Sequence, residues 1–143
     1  MPLVNSTGFS HVRLTVTDIH RSKAFYDAVF GWPVAIDASD KVDEAGVRES
    51  PEHLFGGVIY RTPQGSLLGL RPVGSASFDS TTNGLDHVSF AVGSAEELDR
   101  AAAALSEAGI EHGEVKRLDR SGIAILSFQD PDNINLELTA PLG

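Results

Sequence analysis

The stretch Gly8-Phe9-Ser10-His11-Val12-Arg13-Leu14-Thr15-Val16 returns later in the chain as Gly84-Leu85-Asp86-His87-Val88-Ser89-Phe90-Ala91-Val92. Glycine, histidine and the alternating apolar positions keep their places in both copies. Only 5 of the 143 residues are histidine, so chance alone would put a second histidine in that register roughly 5 times in 143. The repeat therefore has a cause: two modules of common descent, or a site that uses both imidazoles.

In the first copy Val12, Leu14 and Val16 fall on one side while His11, Arg13 and Thr15 fall on the other, the period of a half-buried strand. The second copy separates Val88, Phe90 and Val92 from His87, Ser89 and Ala91 in the same way. A helix is predicted after each strand. Asp18 caps the first, which carries Phe25, Tyr26 and Val29 inward and is closed by Gly31, with Pro33 preventing its continuation. Ser94-Ala95-Glu96-Glu97 is a capping-box pattern for the second, ahead of an apolar stripe of Leu98, Ala101, Ala102, Leu105 and Ala108 that ends at Gly109. Both helices are predicted to cover the sheet face opposite the histidines.

Three extended pieces follow each helix, at 34–38, 57–61 and 66–71 and then at 112–117, 123–128 and 134–139. The order is β-α-β-β-β, twice. This gives an α+β class, with a first module at about 8–72, a linker at 73–84 and a second module at about 85–140 within one domain spanning 1–143. The first module holds extra length at 37–55, rich in Asp, Glu and Ser with Pro51, which reads as a loop or short helix and as a candidate lid.

Composition removes several function classes. With 11 basic against 20 acidic residues the net charge is −9. Phosphate-backbone binding needs clustered Lys and Arg, so nucleic acid is an unfavourable partner, and an acidic surface also repels membranes. No run approaches the ~20 apolar residues of a membrane span, and the first residues lack the charged and apolar regions of a signal peptide. A soluble, cytoplasmic protein is the expectation. There is no cysteine. Disulfides, thiolate nucleophiles and cysteine-held metals are thereby excluded, and any metal must sit on nitrogen and oxygen.

Such donors are available. In Ile134-Asn135-Leu136-Glu137-Leu138-Thr139, alternation sends Leu136 and Leu138 toward the helices and Glu137 toward the side of the histidines. His11, His87 and Glu137 together would offer two neutral nitrogens and one anionic oxygen, with coordination positions left over. Such a set neutralises one charge of a divalent ion and leaves it Lewis acidic. Fe(II) and Mn(II) suit it best, and Zn(II) also accepts two histidines and a glutamate. On the same face Arg13 and Arg71 are candidate anchors for an anionic substrate.

The two histidine-bearing strands, Ser22-Lys23-Ala24-Phe25-Tyr26 with Phe30-Gly31, and Phe128-Gln129-Asp130-Pro131-Asp132-Asn133 together resemble the vicinal oxygen chelate superfamily. That superfamily includes glyoxalase I, extradiol dioxygenases, fosfomycin resistance enzymes and bleomycin resistance proteins. The last segment is similar to the family's Asp-Pro-Asp-Gly-Asn turn, without its glycine. The resemblance implies two modules forming an eight-stranded, cup-shaped mixed sheet around a metal, with helices outside, in a homodimer. It places His11, His87 and Glu137 on three of the family's metal positions. The fourth falls on Gly69, if Leu68-Gly69-Leu70 matches Leu136-Glu137-Leu138. Glyoxalase I and related epimerases carry an acid or amide there, so the glycine points away from that isomerase chemistry. Dioxygenase-type chemistry on a small oxygen-chelating substrate is the first expectation. A glyoxalase-like isomerase or fosfomycin-type enzyme is the alternative, and the other class is a metal-free drug-binding protein.

Overall fold

The alternation of the first repeat becomes β1, His11–Thr15, in which only Leu14 is fully buried. The computed structural model describes residues 1–143 and divides into two compact units, Met1–Ala76 and Ser77–Gly143. The first unit continues with α1, Ile19–Val29, β2, Val34–Asp37, β3, Val58–Arg61, and β4, Leu67–Arg71. Its strands form one sheet in the order β1-β4-β3-β2, with β1 parallel to β4 and the other neighbours antiparallel. The second unit repeats this plan with β5, Val88–Ala91, α2, Ala95–Glu107, β6, Lys116–Leu118, β7, Ile123–Gln129, and β8, Asn135–Pro141. Its sheet order is β5-β8-β7-β6, again with one parallel pair. Two βαβββ modules of α+β class are therefore present.

Helix α1 starts where Asp18 accepts from the backbone N–H groups of His20 and Arg21, satisfying two donors that have no partner inside the helix. Its inward face is narrower than the sequence suggests: Ile19, Ser22 and Tyr26 are buried, whereas Phe25 and Val29 are only half-buried. Tyr26 leans on Tyr60 of β3, with ring centroids 6.4 Å apart. Tyr60 donates to Asp27 at 2.8 Å, and burial pushes its hydroxyl well above its ordinary range, so it remains a donor. This tyrosine is a core clamp between helix and sheet, on the face away from the histidines.

Helix α2 is capped by Ser94, whose hydroxyl accepts from Glu97 N–H. Glu97 reaches back to Gly93 N–H at 2.7 Å, one residue earlier than the usual capping box. Leu98 and Leu105 are buried under it, Ala101 and Ala102 are half-buried, and Ala108 is exposed. Against it lie the inner residues of β7 and β8: Ala124, Leu126, Phe128, Leu136, Leu138 and Ala140. The expected strand at 112–117 shrinks to Lys116–Leu118, with His112 forming an isolated antiparallel bridge to Phe128 while its imidazole accepts from Ser106 of α2 and donates to Gly113 O. His112 is thus tied into the helix-to-strand connection.

Two details fix the site strands. The turn before β8 is held by Asp130, which accepts from Asp132 and Ile134 N–H at 2.8 and 2.9 Å. Asn133 takes the left-handed conformation, φ 66°, that the family's glycine would supply; Asn tolerates it better than most residues. The 37–55 insertion forms three short 3₁₀ turns, Ser39–Lys41, Val47–Glu49 and Pro51–Gly56. Val42, Val47 and Phe55 are buried, so the segment is seated rather than free-standing.

Candidate functional site

Register decides which side chains share the histidine face. In the second unit Ser89 of β5 pairs with Glu137 of β8, and Glu137 pairs with Ser127 of β7. In the first unit Arg13 of β1 pairs with Gly69 of β4, and Gly69 pairs with Ile59 of β3. Gly69 therefore occupies the ladder position that Glu137 holds in the other module.

His87 and Glu137 are brought together, with His87 Nε2 3.7 Å from Glu137 Oε1. The Nδ1 of His87 donates to Asp86 Oδ1 at 2.5 Å, which orients the ring with Nε2 toward Glu137. Thr139 donates to Glu137 Oε1 at 3.0 Å and is itself bonded to Ser89. Asn135 donates to Asp86 O, tying the start of β8 to the residue before the histidine. An imidazole oriented by a carboxylate, beside a hydroxyl-supported carboxylate, is a donor arrangement that a divalent metal can use. Glu137 lies on β8, and His87 immediately precedes β5, its parallel neighbour.

His11 lies in the first unit, exposed on β1, with its Nδ1 bonded to Ser10 Oγ at 3.1 Å. The residue before each histidine therefore engages Nδ1. No three or more His, Asp or Glu side chains gather into a group that could hold a metal ion. His20 and His53 are exposed outside this register.

Arg13 and Arg71 share one neighbour that the sequence did not single out. Phe55, from the insertion, lies 3.8 Å from Arg71 Cζ and 5.9 Å from Arg13 Cζ, measured to its ring centroid. Both are within cation–π range. The place above Gly69 is not empty: an added Cβ would lie 3.3 Å from Arg13 Cγ and 3.4 Å from its Nε. The position that matches Glu137 is thus crossed by an arginine side chain. Beside it lies a recess of about 140 Å³ lined by His11, Arg13, Ile59, Leu67 and Gly69. The only sequence sign of Phe55 was an aromatic followed by Gly56-Gly57 inside a polar stretch.

The sequence matches the glyoxalase/bleomycin resistance protein/dioxygenase superfamily over residues 8–138, and the chain belongs to that superfamily. A comparison with curated protein sequences finds no match. Among solved structures the chain is similar to a glyoxylase/bleomycin resistance protein/dioxygenase domain from Frankia sp. EAN1pec, at 29% identity and a TM-score of 0.74. That alignment covers 96% of this chain and 93% of that one. It is similar at 20% identity and a TM-score of 0.72 to a mutant of the fosfomycin resistance protein FosX from Listeria monocytogenes, complexed with Mn(II) and 1S,2S-dihydroxypropylphosphonic acid, covering 96% and 94%. A glyoxalase/dioxygenase from Nostoc punctiforme aligns at 24% identity and a TM-score of 0.69, covering 96% and 98%. The last two likenesses carry the fold alone.

Asp86 offers a direct test of the ring-orienting role. Asp86→Asn is expected to weaken divalent-metal affinity by about 10–100-fold, the usual cost of losing an outer-shell partner, with the fold intact. Titration calorimetry with Mn(II) checks this, and an unchanged affinity would show that the carboxylate is irrelevant to the ring.

Proposed function

We propose that the protein is a divalent-metal-dependent enzyme of dioxygenase type, acting on a small substrate that chelates through neighbouring oxygens. The observation that carries this is His87 Nε2 aimed at Glu137 with its other nitrogen pinned to Asp86. His11 is the third ligand in this reading, and a homodimer is the assembled form. The metal, Fe(II) or Mn(II) by preference and Zn(II) as the alternative, supplies Lewis acidity and positions for substrate oxygens. The chain's own residues do the rest. Glu137 lowers the positive charge at the centre, Thr139 and Ser89 hold it in one rotamer, and Asp86 keeps His87 Nε2 toward Glu137. Arg13 and Arg71 anchor an anionic group of the substrate on the first module's face.

Gly69 favours oxygen chemistry over glyoxalase-type isomerisation, since a three-ligand set leaves room for a bidentate substrate and O₂. A fosfomycin-type enzyme is the second reading; the two unpaired arginines, suited to a phosphonate, favour it, and the FosX likeness is compatible with it. The expected result is about one equivalent of divalent metal per chain by elemental analysis, with oxygen uptake in the presence of catechol-type substrates. Metal bound without any oxygen uptake would move the assignment to non-redox chemistry. Failure of every divalent metal to bind folded protein would leave only the drug-binding class.

A further inference from the structure

We propose that the first module carries a binding pocket for a small planar carboxylic acid, with the carboxylate on Arg13 and Arg71 and the flat body in the recess beside Gly69. The proposal rests on the reading of this face as the substrate face, and it names the class of substrate. It does not depend on the metal.

Three observations converge. First, the arginines are unpaired: neither makes an ion pair or a hydrogen bond to a carboxylate, in a chain with 20 acidic residues. On this face both guanidinium groups lie over the ring of Phe55. Arg71 Nε is buried without any hydrogen-bond partner, so a rearrangement that hands it an acceptor is favoured. Second, their placement suits one ligand group. Arg13 pairs with Gly69 and Arg71 lies two residues further along β4, so they are diagonal neighbours on one face, a spacing that long side chains bridge. Arg13 lines the recess, Arg71 lines the adjoining hollow with Arg48 and Glu49, and both guanidinium groups lie within 6 Å of the Phe55 ring, so a carboxylate at the mouth of the recess offers one oxygen to each.

Third, the adjoining space selects what the carboxylate is attached to. The recess measures about 140 Å³, and Ile59 and Leu67 make its walls. An apolar cavity of about 150 Å³ accommodates benzene. Gly69 makes this possible because a larger residue at the Glu137-equivalent position would project into the same space. The glycine that removes a metal ligand thus also forms the floor of the pocket. Phe55 stiffens the arrangement from the insertion. Leu54 and Phe55 both adopt left-handed backbone, φ 50° and 58°, conformations that persist in non-glycine residues only where the surroundings enforce them.

Benzoate is the probe, with benzamide and acetate as controls, titrated into the metal-free full chain by calorimetry or ligand-observed NMR. Benzoate should bind at least tenfold more tightly than benzamide, which lacks the charge, and than acetate, which lacks the ring. Arg71→Gln should cost benzoate at least tenfold. Gly69→Val should cost as much by filling the recess and pressing on Arg13 while leaving Arg71 in place, so the pocket is tested even if the Arg71 variant folds poorly. Equal binding of benzoate and benzamide, no binding of either, or unchanged affinity in both variants would overturn the pocket. A parallel Mn(II) titration separates the two claims. Metal binding without benzoate selectivity sinks the pocket alone, and benzoate selectivity without metal binding sinks the metal reading alone.

Discussion

Replacing His87 with Ala is expected to weaken divalent-metal binding by roughly 100-fold or more, beyond the ~10–100-fold that an orienting partner carries. The loss exceeds that of Asp86→Asn because the donor atom itself disappears, and the second unit is left with Glu137 alone. The fold should survive. His87 is exposed on the sheet face away from α2, and its side chain takes no part in the core of Leu98, Leu126, Phe128 and Leu136. Glu137→Gln should give a comparable loss, because it removes the only anionic donor of the set while keeping its shape. His20→Ala is the control, since His20 sits exposed on α1 outside the repeat register. His112→Ala should also keep metal affinity, although it breaks the link to Ser106. Circular dichroism establishes folding and Mn(II) titration reads affinity. Equal affinity in all four variants would show that the repeated histidines mark descent rather than a site.

The repeat made the modules legible because period-two alternation around each histidine survives in the ladders. Val12, Leu14 and Val16 turn to the helix side, and their partners turn away. The capping residues Asp18 and Ser94 were equally readable, since a short polar side chain before an apolar stripe has few other uses. What the chain concealed lay in contacts without period. The inward stripe of α1 is narrower than its apolar residues suggest, because Tyr26 alone fills the space that Phe25 and Val29 were expected to share. The strand expected from His112 onward is reduced to an isolated bridge at His112 and the short strand Lys116–Leu118. Gly69 could be aligned with Glu137 from sequence, but that Arg13 would lie across it could not, because the direction of a long side chain depends on Phe55 in a distant insertion. The same contact changes what a carboxylate at position 69 would do. It would meet Arg13 first, and an ion pair there would compete with any metal.

Gly57→Ala is expected to have the largest effect on stability of any single methyl addition in the first module. An added Cβ at this position would lie 1.9 Å from Leu70 O and 2.9 Å from Leu54 O, both backbone atoms that cannot rotate away. Its neighbour Gly56 has φ 80°, where a Cβ would meet Val42, so the pair lets the insertion turn and press onto β4. Alanine does reduce the freedom of the unfolded chain, which contributes about 0.4–1 kcal/mol in its favour. Overpacking against fixed backbone costs about 3 kcal/mol, so the clash wins. For a chain of this size the net loss corresponds to a fall of roughly 6–8 °C in Tm, taking about 3 °C per kcal/mol. The damage should also reach the arginines. Leu70 precedes Arg71, and Phe55 stands two residues before Gly57, so moving either strand or turn separates the ring from the guanidinium that it faces at 3.8 Å. Calorimetry of the variant should therefore show an early transition in the first module, while Mn(II) binding at His87 and Glu137 is less affected than benzoate binding. A Tm within 2 °C of the parent would mean that the insertion can lift off β4 at little cost. Phe55 would then be a mobile neighbour of the two arginines rather than a fixed one.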